Sequence, residues 1–214
     1  ISRNGDLIHK IFVSSTFAGI MDGDVIVEEV ELEIGGQKID KHTKEWMQIW
    51  SEITLPEHQS KARGYMVGSR GHKPTVATSL GGHQQRANSR VIIPLHFWFC
   101  RNPGLALPLI ALQYHEVKLK FTWGIGNGSN VGDACAAPLE VWCDYIYLDT
   151  DERRRFAQVS HEYLIEQVQI QNHSNTSNSY KLNFNHPVKE LIWFDRGDQY
   201  YVNAKLQLNG HDRF

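Results

Sequence analysis

Several stretches of the chain alternate between apolar and polar residues with a period of two, and this pattern constrains the fold more than any other feature. The clearest runs are residues 30–34, 117–123 and 205–209. Successive side chains of a β-strand point to opposite faces of the sheet, so each run predicts a strand with one face on a core. The alternation therefore predicts a chain built mainly from half-buried strands.

Two further stretches, 91–99 and 141–148, are apolar at almost every position. Continuous apolar runs of this length predict strands that are covered on both faces. Pro94 lies within the first stretch. Because proline lacks a backbone N–H, we expect it at a sheet edge or at a bulge.

One segment breaks the period of two and predicts a helix from Asp40 onward, with Asp40 as its N-cap. A second short helix is predicted at 151–156, where acidic residues precede arginines in agreement with the helix dipole. The first helix is indicated by an apolar stripe at the i, i+3, i+4 and i+7 positions, formed by Trp46, Ile49, Trp50 and Ile53.

Three irregular stretches separate the predicted strands: 57–90, 124–138 and 171–179. Long loops in a compact domain are usually functional or exposed. Many strands, one or two short helices and long loops at strand ends predict an all-β fold of the jelly-roll sandwich class.

A weak internal repeat is present. Residues 32–38 (LEIGGQK) resemble 206–212 (LQLNGHD), and 4–12 (NGDLIHKIF) resemble 185–193 (NHPVKELIW) in the same order. Chance similarity between strands would give matches of this quality, so pattern alone leaves both interpretations open. In either case we expect Gly35, Gly36 and Gly210 to be structural turn residues, because glycine adopts backbone angles that turns require. The first pair is expected to lead from a strand into the first helix.

A real repeat would have consequences for domain organisation. Residues 1–149 would then form most of a first jelly roll whose first strand is missing, 150–160 a linker, and 161–214 the opening strands of a second jelly roll. The sequence would be a window cut from a longer chain.

Composition excludes several classes of protein. The 214 residues include 41% hydrophobic residues, as expected of a chain with a buried core, and carry a formal net charge of −2. No field of one sign attracts the chain to nucleic acid or an anionic membrane. No run approaches the roughly 18 apolar residues of a membrane span. Three cysteines (Cys100, Cys135 and Cys143) are too few and odd in number for a disulfide framework.

Long, idiosyncratic stretches of the chain resemble the major capsid protein of nucleocytoplasmic large DNA viruses, in particular the algal phycodnavirus type. They run from one end of the chain to the other, and the intervening loops match poorly. The matching stretches are 1–8 (ISRNGDLI), 30–42 (VELEIGGQKIDKH), 103–119 (PGLALPLIALQYHEVKL), 144–153 (DYIYLDTDER), 156–158 (FAQ), 161–167 (HEYLIEQ), 182–187 (LNFNHP) and 208–214 (LNGHDRF).

The resemblance implies a double jelly roll, incomplete here, and a structural role in an icosahedral capsid. It implies a homotrimer of pseudo-hexagonal outline that contacts neighbouring capsomers and minor capsid proteins beneath the shell. It also implies a late protein of the virion, assembled in the host cytoplasm, without cofactors, direct nucleic-acid binding or membrane insertion.

No catalytic, cofactor-binding or metal-binding residues are predicted. No His-x-His, P-loop, GxGxxG or GxSxG motif occurs. His115 and Glu116 are adjacent in a predicted strand and would point to opposite faces. His9, His42, His161 and His186 are interpreted as hydrogen-bonded structural residues. The acidic cluster Asp144, Asp149, Asp151 and Glu152 is followed by Arg153 to Arg155, which favours a salt-bridged linker over a catalytic pair.

The segment 58–115 contains no Asp or Glu, and its seven basic residues could bind nucleic acid or a glycan. A solvated loop, or contact with the acidic run 28–33, is the simpler interpretation. Three Asn-x-Ser sequons, at Asn127, Asn172 and Asn175, lie in predicted loops and are candidate glycosylation sites.

Two alternative functions remain open from the residues alone. A carbohydrate-binding, lectin-like jelly roll would suit the sandwich and its polar loops. A metal-dependent cupin-like enzyme would need a His and Glu cluster that the sequence does not show.

Overall fold

The computed structural model describes residues 1–18, 23, 26–68, 88–124, 139–173, 179–194 and 203–212. The chain divides into two compact units, Ile1–Val168 and Gln169–Phe214. The first unit contains two sheets and most of the helices. The described part of the second contains one short hairpin and several extended segments.

The first unit is a sandwich of two antiparallel sheets, which confirms the predicted all-β class. One sheet has β1 at its centre, with β4 and β5 along one edge and β7 along the other; the second has the order β3–β2–β6. The strands are β1 (Leu7–Ala18), β2 (Val27–Ile34), β3 (Gln37–Thr43), β4 (Asn88–Pro94), β5 (Leu107–Pro108), β6 (Val117–Trp123) and β7 (Glu140–Ile146).

The core lies between the two sheets and is formed by the inward side chains of both. The alternation predicted from sequence holds in β2, where Val30 and Leu32 are fully buried and Glu31 between them is partly exposed. Phe97 and Phe99 fill the centre of the core, with ring centroids 5.8 Å apart. The buried core also includes Ile8, Ile11, Val13, Val27, Val91, Ile93 and Val117.

Two of the predicted strands differ from the structure. The strand expected at 91–99 ends at Pro94 as β4, and Trp98–Arg101 forms a short helix, α3. Within the described part of the chain β4 pairs only with β1, so Pro94 lies on an edge strand, as predicted. The expectation that 141–148 is covered on both faces is wrong. Val141 and Trp142 are 48% and 56% exposed, because β7 is itself an edge strand.

The glycine turn leads to another strand and not to a helix. Gly35 (φ +60°) and Gly36 (φ +82°) join β2 to β3 in a two-residue hairpin. Asp40 therefore lies within β3 and is almost completely buried, so its prediction as an N-cap is wrong. The cap is Thr43, whose hydroxyl accepts a hydrogen bond from the Trp46 N–H.

The left-handed backbone at Gly36 gives a testable expectation. No heavy atom lies within 4 Å of a Cβ placed there, so Gly36→Val would strain only the backbone. A β-branched residue in this region costs about 1–2 kcal/mol, and urea unfolding of the full-length protein should show a loss of that size. Gly36→Asn is the control, since asparagine tolerates positive φ and Asn209 adopts it here. Equal stability of the valine variant and the natural protein would contradict the argument.

The structure contains more helix than the one or two short helices expected. α1 (Lys44–Thr54) and α4 (Thr150–Gln158) match the two predictions. α2 (Glu57–Val67) occupies the start of the stretch predicted to be a loop over 57–90, and it lacks the clear apolar stripe that would have identified it. A 3₁₀ turn, Pro103–Leu105, follows α3.

The second unit resembles the first in one local feature. β8 (Gln207–Leu208) and β9 (His211–Asp212) form a hairpin around Asn209 (φ +52°) and Gly210 (φ +78°), the same pair of left-handed residues as in the Gly35-Gly36 turn. None of the described residues of this unit is buried. Seven large apolar side chains are exposed in it: Ile170, Tyr180, Leu182, Val188, Trp193, Phe194 and Leu208.

Candidate functional site

Metal binding finds no support in the described part of the chain, where no group of three or more His, Cys, Asp or Glu side chains could hold an ion. His115 and Glu116 lie in the turn before β6 and not within a strand as expected. Arg3 extends to this turn and donates to the carbonyl oxygens of Leu112 and His115. The turn is thus tied to the start of the chain.

The histidines expected to be structural are mostly found in structural contacts. His9 Nδ1 lies 2.7 Å from the Phe99 carbonyl oxygen, and His161 Nε2 lies 2.7 Å from that of Phe156. His186 has a positive φ of 69° in the second unit. His9 and His161 are thus in structural contacts, whereas a structural hydrogen bond for His186 stays a prediction.

The acidic residues near 150 form a helix cap and an ion pair. Asp149 accepts from the Asp151 N–H at 2.7 Å and so caps α4. From the same helix Arg153 contacts Asp6 Oδ2 at 2.9 Å, and the Leu148 N–H donates to that oxygen at 2.8 Å. The Leu148 hydrogen bond, followed by that of Arg153, holds the pKa of Asp6 below its usual value. These contacts place Asp149 at a helix cap and join the helix to Asp6 through an ion pair, and the role of the segment as a linker stays a prediction.

The described thiols are poorly suited to nucleophilic chemistry. Cys100 and Cys143 are free and pack beside the core. Burial raises the pKa of Cys100 to about 12 and also raises the pKa of Cys143. Because the thiolate is the reactive form, both groups are held in the unreactive state at neutral pH. Cys135 lies outside the described residues.

A serine and a histidine meet inside the first unit without forming a catalytic pair. Ser51 Oγ lies 3.1 Å from His96 Nε2 and 2.7 Å from the carbonyl oxygen of Met47, to which it donates. A hydroxyl has one hydrogen, so His96 must be the donor to Ser51. The serine is therefore not activated by a base, and the pair satisfies two buried polar groups.

The buried position of His96 makes the fold sensitive to acid. Desolvation, reinforced by the nearby Arg63, His42 and Arg101, lowers the pKa of His96 from 6.5 to about 3. A depressed folded-state pKa means that the unfolded chain binds the proton first as pH falls below 6.5, so this part of the stability is lost between pH 6.5 and 3.

From pH 7 to 4.5 we expect this histidine to account for a loss of about 2 kcal/mol in the free energy of unfolding. The check is urea unfolding at both pH values for the natural protein and for His96→Gln, whose amide can still donate to Ser51. The variant should lose about 2 kcal/mol less. Equal losses in both proteins would contradict the assignment to His96.

Asp40 is the most constrained polar residue of the first unit. Its Oδ1 accepts from the backbone N–H of Val168 at 2.9 Å and from that of Lys41 at 2.8 Å. Its Oδ2 lies 2.9 Å from Nε2 of His42, which is completely buried and stacks on Phe97. A carboxylate can occupy this position because hydrogen bonds replace much of the water it loses.

Asp40 makes one of several contacts that attach residues 161–168 to the sandwich of the first unit. Arg101 Nη1 lies 2.5 Å from Glu166 Oε2, and the guanidinium lies 3.9 Å from the centre of the Trp50 ring. Gln167 donates to the Ile39 carbonyl oxygen at 2.5 Å. Sequence reasoning missed this attachment. The only available indication was that Asp40 and His42 alternate with Ile39 and Lys41, which places both polar residues on one face of a strand.

The outer face of the β3–β2–β6 sheet carries a ladder of ion pairs. Lys41 contacts Glu29 at 2.6 Å, Lys38 contacts Glu31 at 3.0 Å, and Lys120 pairs with Glu33. The Lys38 hydrogen bond lowers the pKa of Glu31. Each exposed pair contributes only about 0.2–1 kcal/mol. Among the described residues these glutamates pair with lysines outside the basic segment 58–115, and the suggested contact between the acidic run 28–33 and that segment stays a prediction.

The basic segment is only partly described. Arg101 pairs with Glu166, and Arg90 contacts Ser14 Oγ at 3.1 Å. Arg70, Lys73 and Arg86 lie outside the described residues. Of the three sequons, Asn172 is described and exposed, whereas Asn127 and Asn175 lie outside the described residues. Glycosylation at any of them stays a prediction.

Among the described residues, the clearest candidate for function is exposed apolar surface that is available for association with other subunits. Large apolar side chains are exposed on β7, on α1 and in the extended segment after α4. In the first unit they are Ile53, Tyr65, Tyr114, Trp123, Val141, Trp142, Tyr147, Val159, Leu164 and Ile165. No helix within the described ranges is both long and apolar enough to cross a bilayer.

Comparison with protein families gives two matches that together cover nearly the whole chain. The family described as "Major capsid protein N-terminus" matches residues 1–149, and the family described as "Large eukaryotic DNA virus major capsid protein" matches residues 152–212.

Individual relatives agree with the family matches. The major capsid protein of Pyramimonas orientalis virus is 49% identical, and the match covers 100% of this chain and 57% of that protein. The major capsid protein of Paramecium bursaria Chlorella virus 1 is 41% identical, with 90% of this chain and 47% of that protein covered. The chain spans about half the length of the curated relatives it matches.

Solved structures show the same fold. A chain in the quasi-atomic model of the PBCV-1 virus capsid superimposes with a TM-score of 0.69 at 38% identity, covering 87% of this chain and 48% of that one. PBCV-1 VP54, fitted into a reconstruction of the virophage Sputnik, gives a TM-score of 0.65 at 40% identity, covering 78% and 41%. The predicted jelly-roll fold class and the resemblance noted from the sequence are confirmed, and the chain belongs to the family of major capsid proteins of large eukaryotic DNA viruses.

Proposed function

We propose that this chain is part of a structural subunit of a viral capsid and that it works by assembly and not by catalysis. The observation that carries the proposal is the 49% identity to a major capsid protein along the entire chain. Two buried polar sites among the described residues support it, since the Ser51–His96 pair and the Asp40–Val168 contact are structural hydrogen bonds. The carbohydrate-binding alternative gains no support from the relatives named above, which are capsid proteins.

The subunit would associate with other capsid subunits in the virion. More specifically, we propose a homotrimeric capsomer of pseudo-hexagonal outline that tiles an icosahedral shell in the host cytoplasm, with minor capsid proteins beneath it. The exposed tryptophans Trp142 and Trp193 support association, because large aromatic side chains are enriched where subunits meet. Stable assemblies of this kind commonly bury about 2,000 Å² or more.

We further propose the domain boundaries expected from the repeat: 1–149 as most of a first jelly roll, 150–160 as a linker and 161–214 as the start of a second. The cap of α4 by Asp149 and the Arg153–Asp6 ion pair support an ordered linker. The contacts of 161–168 with the first sandwich indicate that the start of the third segment also packs there.

The test is the mass of the full-length protein in solution, measured by light scattering coupled to size-exclusion chromatography. A trimer that persists on dilution to micromolar concentration is the expected result. A monomer at high concentration, with no particles seen by electron microscopy under any ionic condition, would contradict a capsid role. A stable dimer or tetramer would leave assembly intact and overturn the trimeric capsomer.

A further inference from the structure

Two extended segments of the second unit are joined by glutamine side chains and not by a backbone ladder. Gln169 Oε1 accepts from the Asn185 N–H at 3.0 Å, and its Nε2 donates to the Asn185 carbonyl oxygen at 3.1 Å. Gln171 Oε1 accepts from the Asn183 N–H at 2.9 Å, and its Nε2 donates to the Lys181 carbonyl oxygen at 3.0 Å. Two side chains thus satisfy four backbone groups.

The positions of these contacts define an antiparallel register. Residue 169 is opposite 185 and residue 171 is opposite 183, so each step forward in one segment is a step back in the other. Residues 181, 183 and 185 present their N–H and C=O groups to the same side of an extended chain. Gln169 and Gln171 are likewise two residues apart and point the same way. The spacing of the side chains therefore matches the spacing of the backbone groups they satisfy.

This register differs from an ordinary sheet in one respect. Strand side chains project perpendicular to the sheet, whereas backbone groups point within its plane. Because the glutamine side chains meet the backbone groups of 181–185, the face of the first segment is turned towards the edge of the second. Such an arrangement suits a corner, where two consecutive strands enter opposite sheets of a sandwich.

We propose that Gln169 and Gln171 form a corner lock, in which the side chains of one segment close the hydrogen-bonding edge of the next segment. Within the described residues, the amides occupy the places that a neighbouring strand would take on this edge of 181–185. The edge is then unavailable to a strand from a second copy of the chain, which is a hazard of open edges in β proteins. The lock concerns the fold of the second unit and holds whether or not the protein builds a capsid.

Glutamine is the side chain that this role requires. Its amide carries both an acceptor and two donors, so it can meet an N–H and a C=O at once, as a backbone peptide does. Glutamate of the same length can accept but not donate. Alanine can do neither. Comparing glutamine, glutamate and alanine at these positions therefore separates the effect of the donated hydrogen bond from that of the accepted one.

The experiment is backbone amide exchange on the full-length protein, resolved to single residues. In Gln169→Ala the Asn185 amide should exchange about five- to tenfold faster while Asn183 is unchanged, and Gln171→Ala should show the reverse. Gln171→Glu should leave Asn183 protected, because the carboxylate still accepts its hydrogen bond. Gln207→Ala is the matched control, since the Gln207 amide donates to Asp212 in the β8–β9 hairpin and its loss should change neither amide.

Each other outcome overturns the lock. Unchanged exchange at Asn183 and Asn185 in both alanine variants would show that the glutamines do not protect this edge. Uniform acceleration throughout the second unit would show a general loss of stability. Should the alanine variants fail to fold, the comparison of Gln171→Glu with the natural protein still decides the matter, and rapid exchange of Asn183 in it would count against the proposal.

Discussion

Phe97→Ala is expected to lower the free energy of unfolding of the full-length protein by about 3–5 kcal/mol. Phe97 is completely buried at the centre of the first sandwich. Its ring stacks on His42 at 4.5 Å and lies 5.8 Å from that of Phe99. Truncation removes these contacts and leaves a cavity between the two sheets, whose strands are held in place by their backbone pairing.

The measurement for Phe97 is urea unfolding followed by tryptophan fluorescence. Tyr114→Ala provides the control, since Tyr114 is 94% exposed and its loss should change stability by less than about 0.5 kcal/mol. A loss below about 1 kcal/mol for Phe97→Ala would mean that the core can repack around the gap. It would also mean that the aromatic cluster is not the centre of the fold.

Asp40→Ala has the second largest expected effect, a loss of about 3 kcal/mol. The substitution leaves the Val168 N–H without its acceptor and removes the carboxylate beside the buried His42. His42 is completely buried, so solvent cannot compensate for the lost carboxylate, and the Val168 N–H lies in a partly buried position. The loss in the free energy of unfolding should therefore be larger than the number of hydrogen bonds that Asp40 makes would suggest.

Unfolding of Asp40→Ala should be compared with that of Asp212→Ala. Asp212 pairs with Lys205 at 2.8 Å on the surface, where an exposed ion pair contributes little. Asp40→Ala should also speed amide exchange at Val168, because that N–H becomes free. Similar stability of the two variants, with Val168 still protected, would refute the role given to Asp40. Losses from Asp40→Ala and Phe97→Ala should not add, since both residues contact His42.

Part of the sheet architecture could be predicted from local patterns, although the central strand β1 was not. The alternation at 30–34 and 117–123 corresponds to β2 and β6, which pair with each other from Ile34 opposite Val117 to Val27 opposite Trp123. Alternation fixes which side chains share a face, and only one face can be apolar enough to be buried. The turn at Gly35-Gly36 could also be predicted from the sequence, because few residues other than glycine adopt positive φ at low cost.

The start of the first helix was predicted wrongly, because the N-cap rule was applied without regard to the strand that precedes the helix. An aspartate before an apolar stripe is a favourable N-cap, and that rule selected Asp40. The structure instead places Asp40 in β3 and uses Thr43 as the cap. Asp40 pairs with Leu32 across the β2–β3 hairpin, and its carboxylate accepts from the Val168 N–H, which is 128 residues away in sequence. No local pattern contains that information.

Exposure of the strand at 140–146 was also beyond the sequence. Its apolar composition suggested cover on both faces, yet Trp142 is 56% exposed. Composition shows that a side chain can be buried, whereas its place in the sheet determines whether it is. The ion pair between Arg101 and Glu166 could not be predicted from the sequence either, because only the fold brings the two side chains within 2.5 Å of each other.

By itself the sequence determined the all-β class, the faces of the regular strands and the family to which the chain belongs, because these depend on residue types at short, fixed spacings. Only the tertiary structure decided that Asp40 is a buried anchor, that β7 lies at an edge, and that Gln169 and Gln171 meet the edge of 181–185. These features depend on contacts between residues distant in sequence, whose free energy is realised only when the chain is folded.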